Sequence, residues 1–141
     1  MADARRPALK EMSIPFQFNA AGGVAYETSL TRIYGDHIKM IVMTALNERA
    51  MRPDYGSQTR TYLFENADDT LAQELATRLQ DALERWEPNV QIVHVRPIMH
   101  AVTEGILEIE VAFRVPPSST INTVTSQVVS GVESSTSQGS F

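Results

Sequence analysis

The segment Gly105 to Val115, "GILEIEVAFRV", alternates without a break. Leu107, Ile109, Val111, Phe113 and Val115 fall on one side of an extended chain, and Glu108, Glu110, Ala112 and Arg114 on the other. Such a strand buries one face and wets the other, so the chain must supply a neighbouring strand and an apolar cover. The neighbour is the preceding "NVQIVHVRPI", rich in β-branched residues. Pro97 to Gly105 is long enough to reverse direction, which predicts a hairpin.

Two helical patterns supply the cover. From Leu30 to Asn47, the residues Leu30, Ile33, Tyr34, Ile38, Ile41, Val42, Ala45 and Leu46 recur at three and four. Thr28 or Ser29 is the expected cap, and Gly35 predicts that the regular helix begins only near Asp36. The second pattern buries Leu71, Leu75, Leu79, Ala82, Leu83 and Trp86, with Glu74 before Arg78 and Asp81 before Arg85 as acid–base pairs on the wet side. Asn66 or Asp68 is placed to cap it, Asp68 and Asp69 complement its dipole, and Pro88 ends it. The fold class that follows is α+β: a small β-sheet with a hairpin, packed against two helices.

Around this domain the signals weaken. Met1 to Ser13 shows no period and reads as a flexible arm, "IPFQF" (Ile14 to Phe18) as a short strand with Pro15 at an edge, and "NAAGG" as a turn. Beyond Pro116-Pro117, twelve of the last 26 residues are Ser or Thr. The expected organisation is an arm at 1–13, a domain at 14–115 and a Ser/Thr-rich tail at 116–141, outside the globular core. Within that tail "INTVTSQVV" is β-prone and suited to adding as a strand to a partner.

Composition removes several function classes. The net charge of −5 arises within Glu65 to Glu87, which holds seven acidic and two basic residues. With no basic stripe elsewhere, nucleic acid is not an expected partner. The absence of cysteine excludes disulfides and thiolate metal sites. No apolar run approaches the roughly 20 residues of a membrane span, and "MADARRPALK" does not read as a secretory signal, so a soluble, cytoplasmic protein is expected. His37, His94 and His100 lack metal-binding spacing and read as surface or loop residues. No cofactor or metal is expected.

Two stretches remain as candidates for chemistry. A glycosidase needs two carboxylates across a cleft, for which Glu65, Asp68, Asp69 and Glu87 are available, but a helix start and a solvated helix face account for them without a cleft. No catalytic residue is assigned. In "RAMRPDYGSQ", Arg52, Pro53, Asp54, Tyr55 and Gly56 have the chemistry of a tight structural turn. Pro53 fixes one backbone angle, Gly56 permits a left-handed one, and Asp54 can bond its own backbone. Tyr55 is expected to pack inward and Arg52 to pair with an acid or a carbonyl, with Tyr62, Leu63 and Phe64 seating the joint on the core.

Taken in order, "IPFQFNAAGGVAY", "MRPDYGSQTRTYLFE" and "LERWEPNVQIVHV" resemble the baseplate wedge and sheath-initiator family of contractile tails, found in phages, type VI secretion systems and extracellular injection devices. The resemblance runs from about Ile14 to Val115. It implies a domain similar to the strand-exchange part of the sheath subunit, and a nonenzymatic structural role, although some members have been called lysozymes. Its implied partners are sheath subunits, baseplate wedge proteins and the inner tube or hub, with several copies in a ring-shaped assembly. By that resemblance Ile106, Glu108, Glu110, Val111 and Arg114 would meet the sheath by strand addition. Trp86, Glu87 and Pro88 would meet the wedge, as part of a family Glu-Pro-Arg motif whose arginine is Asn89 here. The rival readings are a peptidoglycan hydrolase of lysozyme type and a small regulatory protein that binds one partner through the same fold.

Overall fold

A computed structural model of the 141-residue chain describes residues 9–62, 69–99 and 106–129. In order, the elements are β1 (Glu11–Met12), β2 (Tyr26–Glu27), α1 (Leu30–Met43), α2 (Thr59–Tyr62), α3 (Asp69–Trp86), β3 (Gln91–Met99), β4 (Ile106–Arg114) and β5 (Ile121–Val129). The predicted α+β class is the observed one. A three-stranded antiparallel sheet, ordered β3-β4-β5, carries α3 against β3 and α1 against β5 on one face. A two-stranded ribbon, β1-β2, stands apart from it.

The alternation in β4 sets the core. Leu107, Ile109, Val111 and Phe113 are buried, and they meet Ile38, Ile41, Leu75, Leu79 and Leu83 from the two helices. β3 pairs with β4 as the hairpin pattern predicts, but with a register shift between Ile92 and His94. The extra residue, Val93, is left exposed. A bulge reverses the parity of a strand. Ile92 therefore faces Phe113 before it, and Val95 and Pro97 face Val111 and Ile109 after it.

The largest departure from expectation lies beyond Pro116-Pro117. Ile121–Val129 is not outside the domain: it pairs with β4 along its whole length, from Arg114↔Ile121 to Ile106↔Val129. Its inward row is Asn122, Val124, Ser126 and Val128, of which only two are apolar. The strand is held by a continuous ladder with β4 and by α1 rather than by a strong apolar pattern of its own. At the other end, Glu11–Met12 pairs with Tyr26–Glu27, so the ordered chain starts before Ile14. The expected strand "IPFQF" is reduced to a single bridge, Phe18↔Val24. "NAAGG" is the expected turn, with Asn19 Oδ1 accepting from the amides of Ala21 and Gly23.

Helix α1 starts at Leu30 and runs through Gly35 instead of beginning after it. Ser29 occupies the cap position but makes no side-chain cap bond; Glu27 Oε1 instead accepts from the amides of Thr28 and Ser29. At Gly35 the helix approaches the sheet closely: a Cβ there would lie 3.1 Å from Val124 Cγ2 and 3.9 Å from Phe113 Cζ. The missing side chain lets α1 lie down on β5. Along α3, Leu75, Leu79 and Leu83 are buried as predicted, and the Glu74–Arg78 pair forms at 2.8 Å. Leu63, Phe64, Glu65, Asn66, Asp68, His100 and the stretch 101–105, where the hairpin is expected to reverse, lie outside the described residues, as do 1–8 and 130–141.

The close approach at Gly35 is directly testable. Gly35→Leu should lower stability by about 1–3 kcal/mol, the usual cost of overpacking, and Val124→Ala in the same chain should restore part of it. Urea midpoints of the two single variants and the double variant check both statements.

Candidate functional site

The chain between α1 and α2 is a joint. Thr44 donates its amide to Met40 O and ends the helix, and Asn47 takes a positive φ of 66°. Asn47 N–H donates to Pro53 O and Tyr55 N–H to Arg52 O, closing the turn. Gly56 has φ +111°, and a Cβ there would stand 2.3 Å from Thr44 O, so both backbone conformation and space require glycine. Ser57 then donates its amide to Thr44 O and its hydroxyl to Val42 O, at 2.9 Å each, and shares a 2.7 Å hydrogen bond with Thr59 Oγ1. Ser57 and Thr59 are buried. These two small hydroxyl residues bolt the loop to the end of α1, and only their position beside Gly56 in the sequence hints at it.

The same loop is clamped to α3. Asp54 does not bond its own backbone; its Oδ2 accepts from Arg85 Nη2 at 2.8 Å, which takes Arg85 away from the expected partner Asp81. Tyr55 packs inward against Trp86 with ring centroids 5.2 Å apart. Arg49 lies 4.0 Å over the Tyr55 ring, and Arg85 and Arg52 lie 5.1 and 5.8 Å from the centre of Trp86. Arg52 thus stacks on an aromatic ring instead of pairing with an acid or a carbonyl. Burial raises the Tyr55 phenol above its ordinary value; Arg49 opposes that and Glu87 adds to it. Trp86, half-buried, forms one wall of an open groove of about 250 Å³ between Gly56 and α3.

The three residues assigned to wedge contact are not equivalent. Pro88 is exposed and Trp86 partly so, but Glu87 is 7% exposed and turned inward to His37. His37 is correspondingly not a loose surface histidine. Its Nδ1 lies 2.8 Å from Glu87 Oε2 and its Nε2 2.7 Å from Glu11 Oε2. Sequence spacing gave no sign of this cluster, because its members are 26 and 50 residues apart. Among the described residues no group of His, Asp and Glu is arranged to hold a metal ion.

The residues assigned to the sheath also separate. Val111 is buried in the core and unavailable as a contact. Ile106, Glu108, Glu110 and Arg114 lie on β4, which has a strand on each side, so its backbone ladder is already used. On the wet face, Glu110 lies 3.3 Å from His94 Nε2, Arg114 donates to Gln91 Oε1, and Glu108 accepts from Gln127. These charges fix register within the sheet. Among the described residues, the backbone edges without a neighbouring strand belong to β3 and β5.

A sheet of three antiparallel strands with two long helices on one face and a clamped joint between them defines a small structural module. Residues 30–118 match the family model of the baseplate wedge protein gp25. The chain belongs to that family of baseplate wedge proteins. Its fold is similar to that of a Geobacter sulfurreducens protein named as a tail lysozyme, with 25% identity over 76% of this chain and 96% of that one and a TM-score of 0.66. It is also similar to a chain of the anti-feeding prophage baseplate (18% identity, 89% and 88% covered, TM-score 0.59). A chain of the postcontraction pyocin R2 baseplate shares the fold too (20% identity, 82% and 99% covered, TM-score 0.50). A search of curated proteins gave no match. Among the described residues, no helix is long and apolar enough to cross a membrane.

The two halves of the joint differ in what they contribute. Gly56→Ala should destabilise the protein by more than about 2 kcal/mol, since it adds both strain and a clash. Asp54→Ala, which removes an ion pair between exposed side chains, should cost less than about 1 kcal/mol. Thermal melts of the two variants beside the parent check the order.

Proposed function

We propose that this protein joins the baseplate wedge to the sheath and starts sheath assembly by accepting added strands at the free edge of β5. Family membership supports the baseplate setting, and the edge of β5, unpaired among the described residues, carries the rest. An open edge offers a row of amides and carbonyls, and an incoming strand gains a ladder whose alternating side chains set register. The two edges differ. β3 contains Pro97, which has no amide to donate, and the irregularity at Val93, and both features blunt a sheet edge. β5 runs nine residues in unbroken register with no proline, glycine or bulge. β5 is therefore the acceptor and β3 the guarded edge.

The exposed row on β5, Ile121, Thr123, Thr125 and Gln127, replaces the β4 residues as the surface met by the sheath. On the opposite side of the module, Trp86 and Pro88 remain the wedge contact, with the groove beside Trp86 ready to receive a partner side chain. Glu87 supports that surface from within. Asn89 leaves the motif without its arginine, and Arg52 and Arg85, stacked on Trp86, supply guanidinium groups on the same side. The inner tube or hub is a further neighbour in a ring of several copies, assembled in the bacterial cytoplasm. The role is mechanical and needs no catalysis. The hydrolase reading has less support: of its carboxylates, Glu87 closes on an imidazole instead of facing a cleft, and Asp69 lies in the first turn of α3.

Proline substitution separates the edge from the fold. Successive residues of a strand point their amides to opposite sides, so of Thr123→Pro and Val124→Pro one breaks the β4 ladder and the other removes an outward donor. The variant with the outward change should keep its circular dichroism and yield baseplates and tubes without extended sheath in electron micrographs. Normal sheath on that folded variant would remove β5 from the mechanism.

A further inference from the structure

His37 stands between two carboxylates on opposite edges of its ring, Glu11 from β1 at Nε2 and Glu87 from the end of α3 at Nδ1. A neutral imidazole has one N–H and one bare lone pair, so it satisfies one ionised carboxylate and turns a lone pair on the other; only the imidazolium donates to both. Because the two acids lie on opposite sides of the ring, they do not converge on a point where a metal could sit. The ion pairs of Glu11 and Glu87 among the described residues are both with His37. A neutral His37 would leave the nearly buried Glu87 uncompensated, which is costly.

We propose that His37 is a protonation-controlled latch that fastens the β1-β2 ribbon to the helical body of the protein. The ribbon has one other attachment, where Glu27 of β2 meets the start of α1; β1 and β2 otherwise pack mainly on each other, and Met12, Phe16, Phe18 and Tyr26 are exposed. Through Glu11, the latch ties the ribbon to α1, and through Glu87 it ties both to the end of α3, next to Trp86. The groups around the ring are Glu11 from β1, Glu87 after α3, and Tyr34 from α1 itself, whose ring meets the imidazole edge-on at 5.9 Å. Glu27 of β2 is occupied elsewhere, by the amides of Thr28 and Ser29 and by Arg32.

The direction of the pH effect follows. Burial alone would lower the His37 pKa, but its hydrogen bonds to Glu11 and Glu87 and their negative charge outweigh it, so the pKa lies above the ordinary 6.5. A raised folded-state pKa means that the latch contributes fully below about pH 6.5 and is lost as pH rises through the raised value. The Glu11 side of the ribbon is then loosened from α1, while Glu27 keeps β2 at the helix start and the sheet and helices stay folded. This inference does not depend on the protein's place in the baseplate.

NMR of the full chain tests it, following the His37 ring and the backbone amides of Glu11, Val24 and Tyr26 across a pH titration. His37 should titrate above 6.5, and the three ribbon amides should move with the same midpoint while those of Ile109 and Val111 do not. In Glu11→Gln, which changes a partly exposed side chain and leaves Glu87 paired, the His37 midpoint should fall and the ribbon response should disappear. A His37 midpoint at or below 6.5 would overturn the latch. So would ribbon amides that ignore pH, or a ribbon response that persists in Glu11→Gln.

Discussion

Everything in the domain is arranged around β4. Among the described residues it is the one strand with hydrogen-bonded neighbours on both sides, and its inward row of Leu107, Ile109, Val111 and Phe113 is the floor on which both helices rest. Phe113, fully buried, lies under α1 near Gly35. A central strand of this kind leaves its two neighbours to present the edges. The edges then differ in quality, because the bulge and proline that fit β3 to the core also spoil it as a template, whereas β5 stays regular. The asymmetry that the proposed function uses is thus a by-product of how the core is packed.

The joint and the ribbon are secondary attachments to that core, each made in its own way. The loop from Asn47 to Ser57 is held by backbone geometry at Gly56 and by the buried hydroxyls of Ser57 and Thr59, with the Asp54–Arg85 pair on the outside. Such a joint is stiff, because its strongest constraints are steric and buried. The ribbon is held by charge, through Glu11 and His37, and charge responds to solution conditions as steric contact does not. Trp86 and Glu87 lie where the two attachments meet, so the end of α3 gathers both on one side of the module.

How much of this the sequence discloses depends on how local the cause is. The alternation of β4 and the stripe of Leu75, Leu79 and Leu83 are local and were legible, and so was the turn at Gly56. β5 was legible as a β-prone run but not as a strand of this sheet, since Asn122 and Ser126 dilute its inward row and its place is assigned by the ladder that β4 offers. Gly35 reads in sequence as a helix breaker; its use as a contact surface exists only once Val124 lies across from it. The bulge at Val93 has no signal of its own, because a run of β-branched residues looks the same in either parity. The cluster of Glu11, His37 and Glu87 is wholly tertiary, and Glu87, read by resemblance as a contact residue, is spent inside the fold.

The central claim is that β5 is the edge to which the sheath is joined. The measurement that tests it most directly is a near-atomic electron-microscopy map of the assembled baseplate with its first ring of sheath subunits, traced around this chain. With β5 as the acceptor, a sheath strand is expected hydrogen-bonded alongside Ile121–Val129, with the edge of β3 left without an added strand. A sheath strand on β3, or a sheath ring that touches this chain only through side chains, would contradict it.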